Sequence, residues 1–307
     1  MEFRQLEAFV NAAKYKSFSK AADATFLTQP TISTHVSNLE NELGVRLLNR
    51  SGREISLTPH GHEFYSYAVE LLNTRSRAVM SMKNLKEDLD GILEIQTSSI
   101  PGYFYLPQVM EEFHELFPRV RFYVEQSDSR LNENLMNQRG ELGFTGYKGN
   151  SGLCFEPVFY DEMVLITPDT DVYRIYQNGE AIPVELFINE PFIMREDGSG
   201  TRQEMEKALV YGKPVFKNVD VIARMSNPAA IKQVVSRGLG VSIVSEQVIK
   251  RTAEQDNIRY FRIRGLEKKR CFYLAHNKGA CLSPIAEHFL EFVREKASRE
   301  LHEDGQL

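Results

Sequence analysis

The chain has 307 residues, with 37 Lys and Arg against 42 Asp and Glu, for a formal net charge of -5. Hydrophobic residues at 42% and charged residues at 26% exclude a disordered or fibrous chain. No run approaches the ~18 apolar residues of a membrane span, and Met1 to Leu6 lacks the basic-then-apolar layout of a secretion leader, so the expectation is a cytoplasmic protein with no membrane partner. The three cysteines Cys154, Cys271 and Cys281 are too few, and odd in number, for a disulfide scaffold, and read as reduced, mostly buried thiols.

A negative balance argues against nucleic acid as a partner, because phosphate binding rests on Lys and Arg. The charge is uneven, however. Residues 1–58 hold seven basic and six acidic side chains, whereas residues 91–307 hold 26 and 31. The acidity belongs to the C-terminal two thirds, which removes the objection for the N-terminal segment.

In that segment Phe3, Leu6, Phe9, Val10 and Ala13 recur at helical spacing. Ser17 or Ser19 can cap a second helix over Lys20 to Ala24, and Pro30 falls in the first turn of a third. On the third helix Ile32, Val36, Leu39 and Leu43 share a face, while Gln29, Thr31, Ser33, Thr34, His35 and Asn38 populate the others. Such a helix buries an aliphatic stripe and presents short hydrogen-bonding groups, as a recognition helix in the major groove does. A solvated face in a small bundle gives the same pattern. Arg46 to Leu57 then reads as two short strands about a Ser-Gly turn flanked by Arg50 and Arg53, a wing that brings two guanidinium groups toward a phosphate or minor groove.

Five blocks in order carry a family resemblance: Phe3-Arg4-Gln5-Leu6-Glu7-Ala8-Phe9, Ser17 to Ala22, Gln29-Pro30-Thr31-Ile32-Ser33, Leu39 to Leu47, and Leu57-Thr58-Pro59-His60-Gly61. Together they closely resemble the winged helix-turn-helix domain of LysR-type transcriptional regulators. The resemblance implies contacts to double-stranded operator DNA from Gln29, Pro30, Ser33, Thr34 and Arg53, with Arg4 near the backbone. Many members carry Arg and then Gln or Lys where this chain has Thr34 and His35. A bidentate Arg reading of guanine is therefore absent at Thr34, and the operator should differ accordingly.

Thr58 and Pro59 supply an N-cap and first-turn proline for a helix along which Phe64, Ala68, Leu71, Leu72, Val79, Met82, Leu85 and Leu89 keep helical spacing as far as Asp90-Gly91. About thirty residues make it roughly 45 Å long. Its apolar seam needs a cover, either the chain's own C-terminal region or a second copy; the resemblance implies an antiparallel homodimer, expected to assemble into a homotetramer.

From Ile92 onward short apolar runs alternate with amphipathic helices. Ile92–Thr97, a helix from Leu106, Val120–Val124, a helix near Leu131 and Leu142–Thr145 predict a βαβαβ unit with a parallel sheet. A second set follows from Met163 to Val244, and the strand Arg270–Ala275 with the helix Ser283–Lys296 returns to the first. The fold expected is thus α/β: a winged helix-turn-helix domain (1–58), a linker helix (59–90), and a two-lobed, periplasmic-binding-protein-like effector domain (91–307), its lobes about 91–162 plus 267–300, and 163–266.

Ligands of open α/β sheets sit at the carboxyl ends of strands, near helix N-termini whose free N–H groups favour anions. Thr97-Ser98-Ser99, Thr145, the stretch containing Arg195, Ser199, Thr201 and Arg202, and Asn227 hold such positions. Capping explains each loop singly; as a set across one cleft they suit a small anionic effector. The Gly-Ser-Gly-Thr-Arg stretch is also similar to LysR regulators of sulfur assimilation and carbon fixation, which implies sulfur oxyanions or phosphorylated metabolites; the hydroxyls and arginines themselves suit an organic carboxylate as well. An enzyme is the rival class, yet no nucleophile elbow, metalloprotease helix or phosphate-binding loop appears. No cofactor is expected. Nor is a metal site: Cys154 is remote from Cys271 and Cys281, and no His stands at ligand spacing from them. Cys271 and Cys281 flank a turn, which leaves a redox pair conceivable. Transport is excluded by the lack of an export signal and the presence of the DNA-binding segment.

Overall fold

The structure is a computed structural model, which describes residues 1–50, 55–81, 89–149, 151–208, 214–249, 257–266 and 269–303. Helix α1 (Phe3–Tyr15) buries Leu6, Ala8, Phe9 and Ala12. Ser17 caps α2 (Phe18–Thr25) by accepting from the Lys20 N–H, and the buried Ala21 and Ala22 allow close approach to neighbouring helices. Thr28 caps α3 (Gln29–Leu43), which Gly44 ends in the left-handed region at φ 69. Ile32, Val36 and Leu39 join the core of this domain. Leu43, expected on the same face, is exposed, because it falls in the last turn, beyond that core.

Strands β1 (Leu48–Asn49) and β2 (Ser56–Leu57) pair antiparallel to form the base of the wing; its tip, with Arg53, lies outside the described residues. Helix α4 (Pro59–Ser81) starts where the Thr58 hydroxyl accepts from the Gly61 N–H at 2.9 Å and donates to the Arg46 carbonyl at 2.6 Å. A side chain at Gly61 would collide with the Leu47 carbonyl, so glycine alone lets the helix begin against the wing. The continuation expected through Met82 and Leu85 lies outside the described residues.

The first lobe holds β3 (Gly91–Thr97), α5 (Ser99–Phe104), α6 (Leu106–Leu116), β4 (Val120–Gln126), α7 (Leu131–Met136), β5 (Leu142–Thr145) and β6 (Leu153–Asp161). After Glu162 alone the chain enters the second lobe: β7 (Met163–Pro168), α8 (Asp171–Arg174), β8 (Ala181–Ile182), β9 (Phe192–Arg195), α9 (Gly200–Lys207), β10 (Val221–Met225), α10 (Pro228–Ser236), β11 (Ser242–Ser245) and β12 (Ile258–Ile263). It then returns with β13 (Arg270–Asn277) and α11 (Pro284–Glu303).

The first sheet has the order β4-β3-β5-β13-β6. Strands β4 and β5 run parallel to β3, as the βαβαβ pattern predicts, and β13 inserts antiparallel between β5 and β6. Leu93, Ile95, Val109, Phe113, Phe144 and Phe289 fill its core. The second lobe departs from the parallel unit expected. Its main sheet, β11-β7-β12-β8, sets β7 antiparallel to both neighbours, and β9 with β10 forms a separate parallel pair. The lobes meet through an apolar cluster that includes Ile100 and Phe272 from the first and Ile166, Ile193 and Ile231 from the second.

Candidate functional site

The first site is the outer face of α3. Gln29, Pro30, Thr34 and Asn38 are exposed and Thr31, Ser33 and His35 half-buried, while Arg4 is exposed at the start of α1. Thr31 is partly engaged, its hydroxyl 2.8 Å from that of Thr28. Arg50 is not a free cation: its Nη2 donates to Ser37 Oγ at 3.1 Å and to Glu40 Oε2 at 3.0 Å, and the guanidinium lies over the Phe18 ring. Glu40, which the sequence pattern did not single out, is buried and accepts from the Leu47 and Leu48 N–H groups and from Arg46 as well. One carboxylate thus fastens the wing to the recognition helix.

The second site is a cavity of about 420 Å³ between the lobes. The first lobe contributes Ser98 and Ser99 from the end of β3 and Thr145 from the end of β5; the second contributes Ser199 and Thr201 from the start of α9. Gly198, at φ 88, turns the chain into that helix. Five of the nine expected effector residues therefore meet around one space. The other four stand outside its lining. Thr97 is buried and bonds the Ser98 carbonyl. Asn227 caps α10 through the Ala229 and Ala230 N–H groups. Arg202 pairs with Asp197 and Glu206. Arg195, 3% exposed, reaches across the cleft, donating to Ser99 Oγ at 3.2 Å and to Asp128 Oδ2 at 2.7 Å. It ties the lobes together, and Asp128 in turn accepts from the Ser99 N–H at 2.8 Å.

The basic group of the lining is Arg270, which spacing did not reveal. It is 8% exposed; Nε donates to Asp161 at 2.7 Å and Nη1 to Thr201 Oγ1 at 2.9 Å. Its Nη2 also lies 2.7 Å from Asp161 Oδ2, so the ion pair is held through two nitrogens. Asp161 is further held by Ser245 Oγ at 2.7 Å. Tyr147, Gln203 and Phe272 add amphipathic and apolar wall.

The cysteines are all unpaired and half-buried rather than mostly buried. Burial pushes the Cys271 thiol up, away from the thiolate form that reacts. Strand β13 carries the chain roughly 20 Å from Cys271 to Asn277, and the short turn to Cys281 does not bring the two thiols back into disulfide range; all three cysteines are free.

A winged helix-turn-helix, a long helix and two lobes around a polar cleft define a DNA-binding protein joined to a small-molecule receptor. Residues 3–62 match the model described as a bacterial regulatory helix-turn-helix protein of the lysR family, and residues 86–298 match that of the LysR substrate binding domain. The chain belongs to the LysR family of transcriptional regulators. It is 32% identical over 288 residues to the uncharacterized HTH-type transcriptional regulator MJ0300 of Methanocaldococcus jannaschii, covering 94% of this chain and 96% of that one. It is 29% identical over 300 residues to the RuBisCO operon transcriptional regulator of Allochromatium vinosum, covering 97% of each. Among solved structures, a full-length OxyR variant from Pseudomonas aeruginosa shares the fold, with a TM-score of 0.78 at 19% identity over 97% of this chain and 94% of that one.

Proposed function

We propose that this regulator reads operator DNA through the exposed N-terminal part of α3 and the wing, as a homo-oligomer paired along α4, and that a compact anionic metabolite in the interlobe cleft changes how the subunits sit on the operator. The observation that carries the effector reading is Arg270. Its buried guanidinium, held by Asp161 and Thr201, sets a positive charge in the wall of the cavity, where it favours an oxyanion. Ser98, Ser99, Thr145, Ser199 and Thr201 ring the same space with hydroxyls that match sulfate, sulfite, thiosulfate or a related ion. A ligand of this kind shifts the equilibrium only by binding one arrangement more tightly than the other. We infer that the protein works in the cytoplasm, where operator DNA lies; among the described residues no helix is long and apolar enough to cross a membrane.

The size of the cavity favours a second reading. About 420 Å³ falls within the range of sites for whole small molecules, and Met136, Tyr147 and Phe272 give an organic body apolar wall. An organic carboxylate or a phosphorylated metabolite would place its acid on Arg270 and its carbon frame there. Thermal unfolding of the full-length protein against inorganic oxyanions and small carboxylates separates the two. A true ligand at a hundred times its dissociation constant adds about 2.7 kcal/mol, and Thr201→Val should diminish that response. A melting temperature unmoved by every anion would overturn the effector reading.

A further inference from the structure

The edge of the first sheet gathers three side chains that neither DNA reading nor effector binding employs. Register sets His276 of β13 opposite Cys154 of β6. Two residues along β6, on the same face, stands Glu156. The thiol, the carboxylate and the imidazole each offer a ligand atom within 4.8 Å of the other two, and all three residues are half-buried. The surroundings orient them. Arg294 of α11 holds Glu156 by both oxygens, at 2.5 and 2.6 Å. His276 Nδ1 lies 3.4 Å from the Asn277 carbonyl, while Nε2 faces Glu156 at 3.8 Å. A proton on Nδ1 directed at that carbonyl leaves the Nε2 lone pair turned into the cluster, the arrangement that outer-shell carbonyls impose on metal-binding histidines.

We propose that Cys154 Sγ, Glu156 and His276 Nε2 form a Zn²⁺ site, with water or an outside group in the fourth position. Thiolate, imidazole and carboxylate are the donors this ion takes, at about 2.0 to 2.3 Å in tetrahedral geometry. Ligands of such an ion stand roughly 3.5 Å apart, so the cluster closes on it by about 1 Å of side-chain movement. Mg²⁺ and Ca²⁺, which take oxygen shells, are excluded by the sulfur. On binding, the Cys154 S–H bond breaks, its proton passes to solvent and an S–Zn bond forms, with no change of oxidation state. Arg294 competes with the ion for Glu156, and the fourth position is open to water. Both features mark an exchangeable ion rather than a permanent folding clip. Once bound, it pins the edge strand β6 to β13.

The test uses the untagged full-length protein, reduced and stripped of metal. It is titrated first with Co²⁺ as an optical probe and then with Zn²⁺ against a chromogenic chelator. One ion per chain should bind, with a thiolate-to-cobalt charge-transfer band that Cys154→Ser removes. His276→Ala should weaken Zn²⁺ binding by more than the roughly tenfold to hundredfold that loss of an outer-shell partner costs. Cys271→Ser and Cys281→Ser should leave both readouts unchanged. Zn²⁺ should raise the melting temperature of the native protein and not that of Cys154→Ser, which also shows that the variant is folded. Failure to take up any ion, or uptake that persists unaltered in both Cys154→Ser and His276→Ala, would overturn the proposal.

Discussion

Glu40 gathers into one buried carboxylate what its helix-rich domain cannot supply by packing alone. Two backbone N–H groups and the guanidinium groups of Arg46 and Arg50 converge on it. Glu40→Ala leaves the Leu47 and Leu48 N–H groups unmet in the interior, at about 1 to 3 kcal/mol each, while the exposed Arg46 and Arg50 turn to solvent. The expected outcome is a lower melting temperature for the DNA-binding domain, with Glu40→Gln, which still accepts through one oxygen, falling between. Nothing in Leu39-Glu40-Asn41-Glu42 separates the buried acid from its exposed neighbours, because its partners are main-chain groups of residues 47 and 48 that only folding brings near. Glu141 makes a second residue-scale case. It accepts from the Ser283 N–H and hydroxyl, and burial pushes its carboxyl above the ordinary value of 4.5, with Lys14 opposing that shift and Glu287 adding to it. An acid whose folded pKa exceeds its unfolded one contributes its full stability below the unfolded value and loses it as pH rises through the folded one. Glu141→Gln should therefore gain stability relative to the native chain as pH rises from 4.5, measured as paired melting curves; parallel curves would refute the assignment.

At the scale of elements, periodicity made the helices legible and left strand direction hidden. The stripes of α1 and α3 and the caps Ser17 and Thr58 follow from spacing and residue type. Strand β12 carries no alternating pattern, because Arg259 and Arg262 interrupt its buried Ile258, Phe261 and Ile263. That β7 runs antiparallel to its neighbours is fixed by which segments return, and no local pattern records it. The two arginines of the wing separate in the same way. Arg53→Ala should weaken DNA binding across sequences and reduce the salt slope by about 1. Arg50→Ala should instead lower thermal stability, since that guanidinium is engaged within the domain. Thr34, exposed on α3, should mainly alter which operator is preferred when changed, read by binding to a panel of sequences. Along α4, Tyr67, Leu71 and Val79 remain exposed within the chain. A double change, Leu71→Glu with Val79→Glu, should shift sedimentation toward the monomer and abolish operator binding, whereas an unchanged sedimentation coefficient would remove α4 from the pairing surface.

Across the whole molecule, the hydroxyls of the cleft were legible because each follows a strand or opens a helix. The charged pairs that organise it were not. Arg195 and Asp128 are 67 residues apart, and Arg270 and Asp161 are 109 apart, so no spacing rule connects them. Asp128→Ala leaves Arg195 buried and unpaired, at about 3 to 5 kcal/mol, while the apolar pair Arg195→Met with Asp128→Leu should recover most of that loss. If both variants melt alike, Arg195 does not act as the tie between lobes. Arg270 and Asp161 also face each other where the chain passes between lobes: β6 ends at Asp161 one residue before β7, and β13 opens at Arg270 after the return from β12. Their ion pair is a rivet through both crossings, and Thr201 and Ser245 extend it into the second lobe. The effector proposed to touch Arg270 would act beside both crossings, where a displacement of a fraction of an ångström corresponds to a larger one at the lobes' outer ends, trading force for travel.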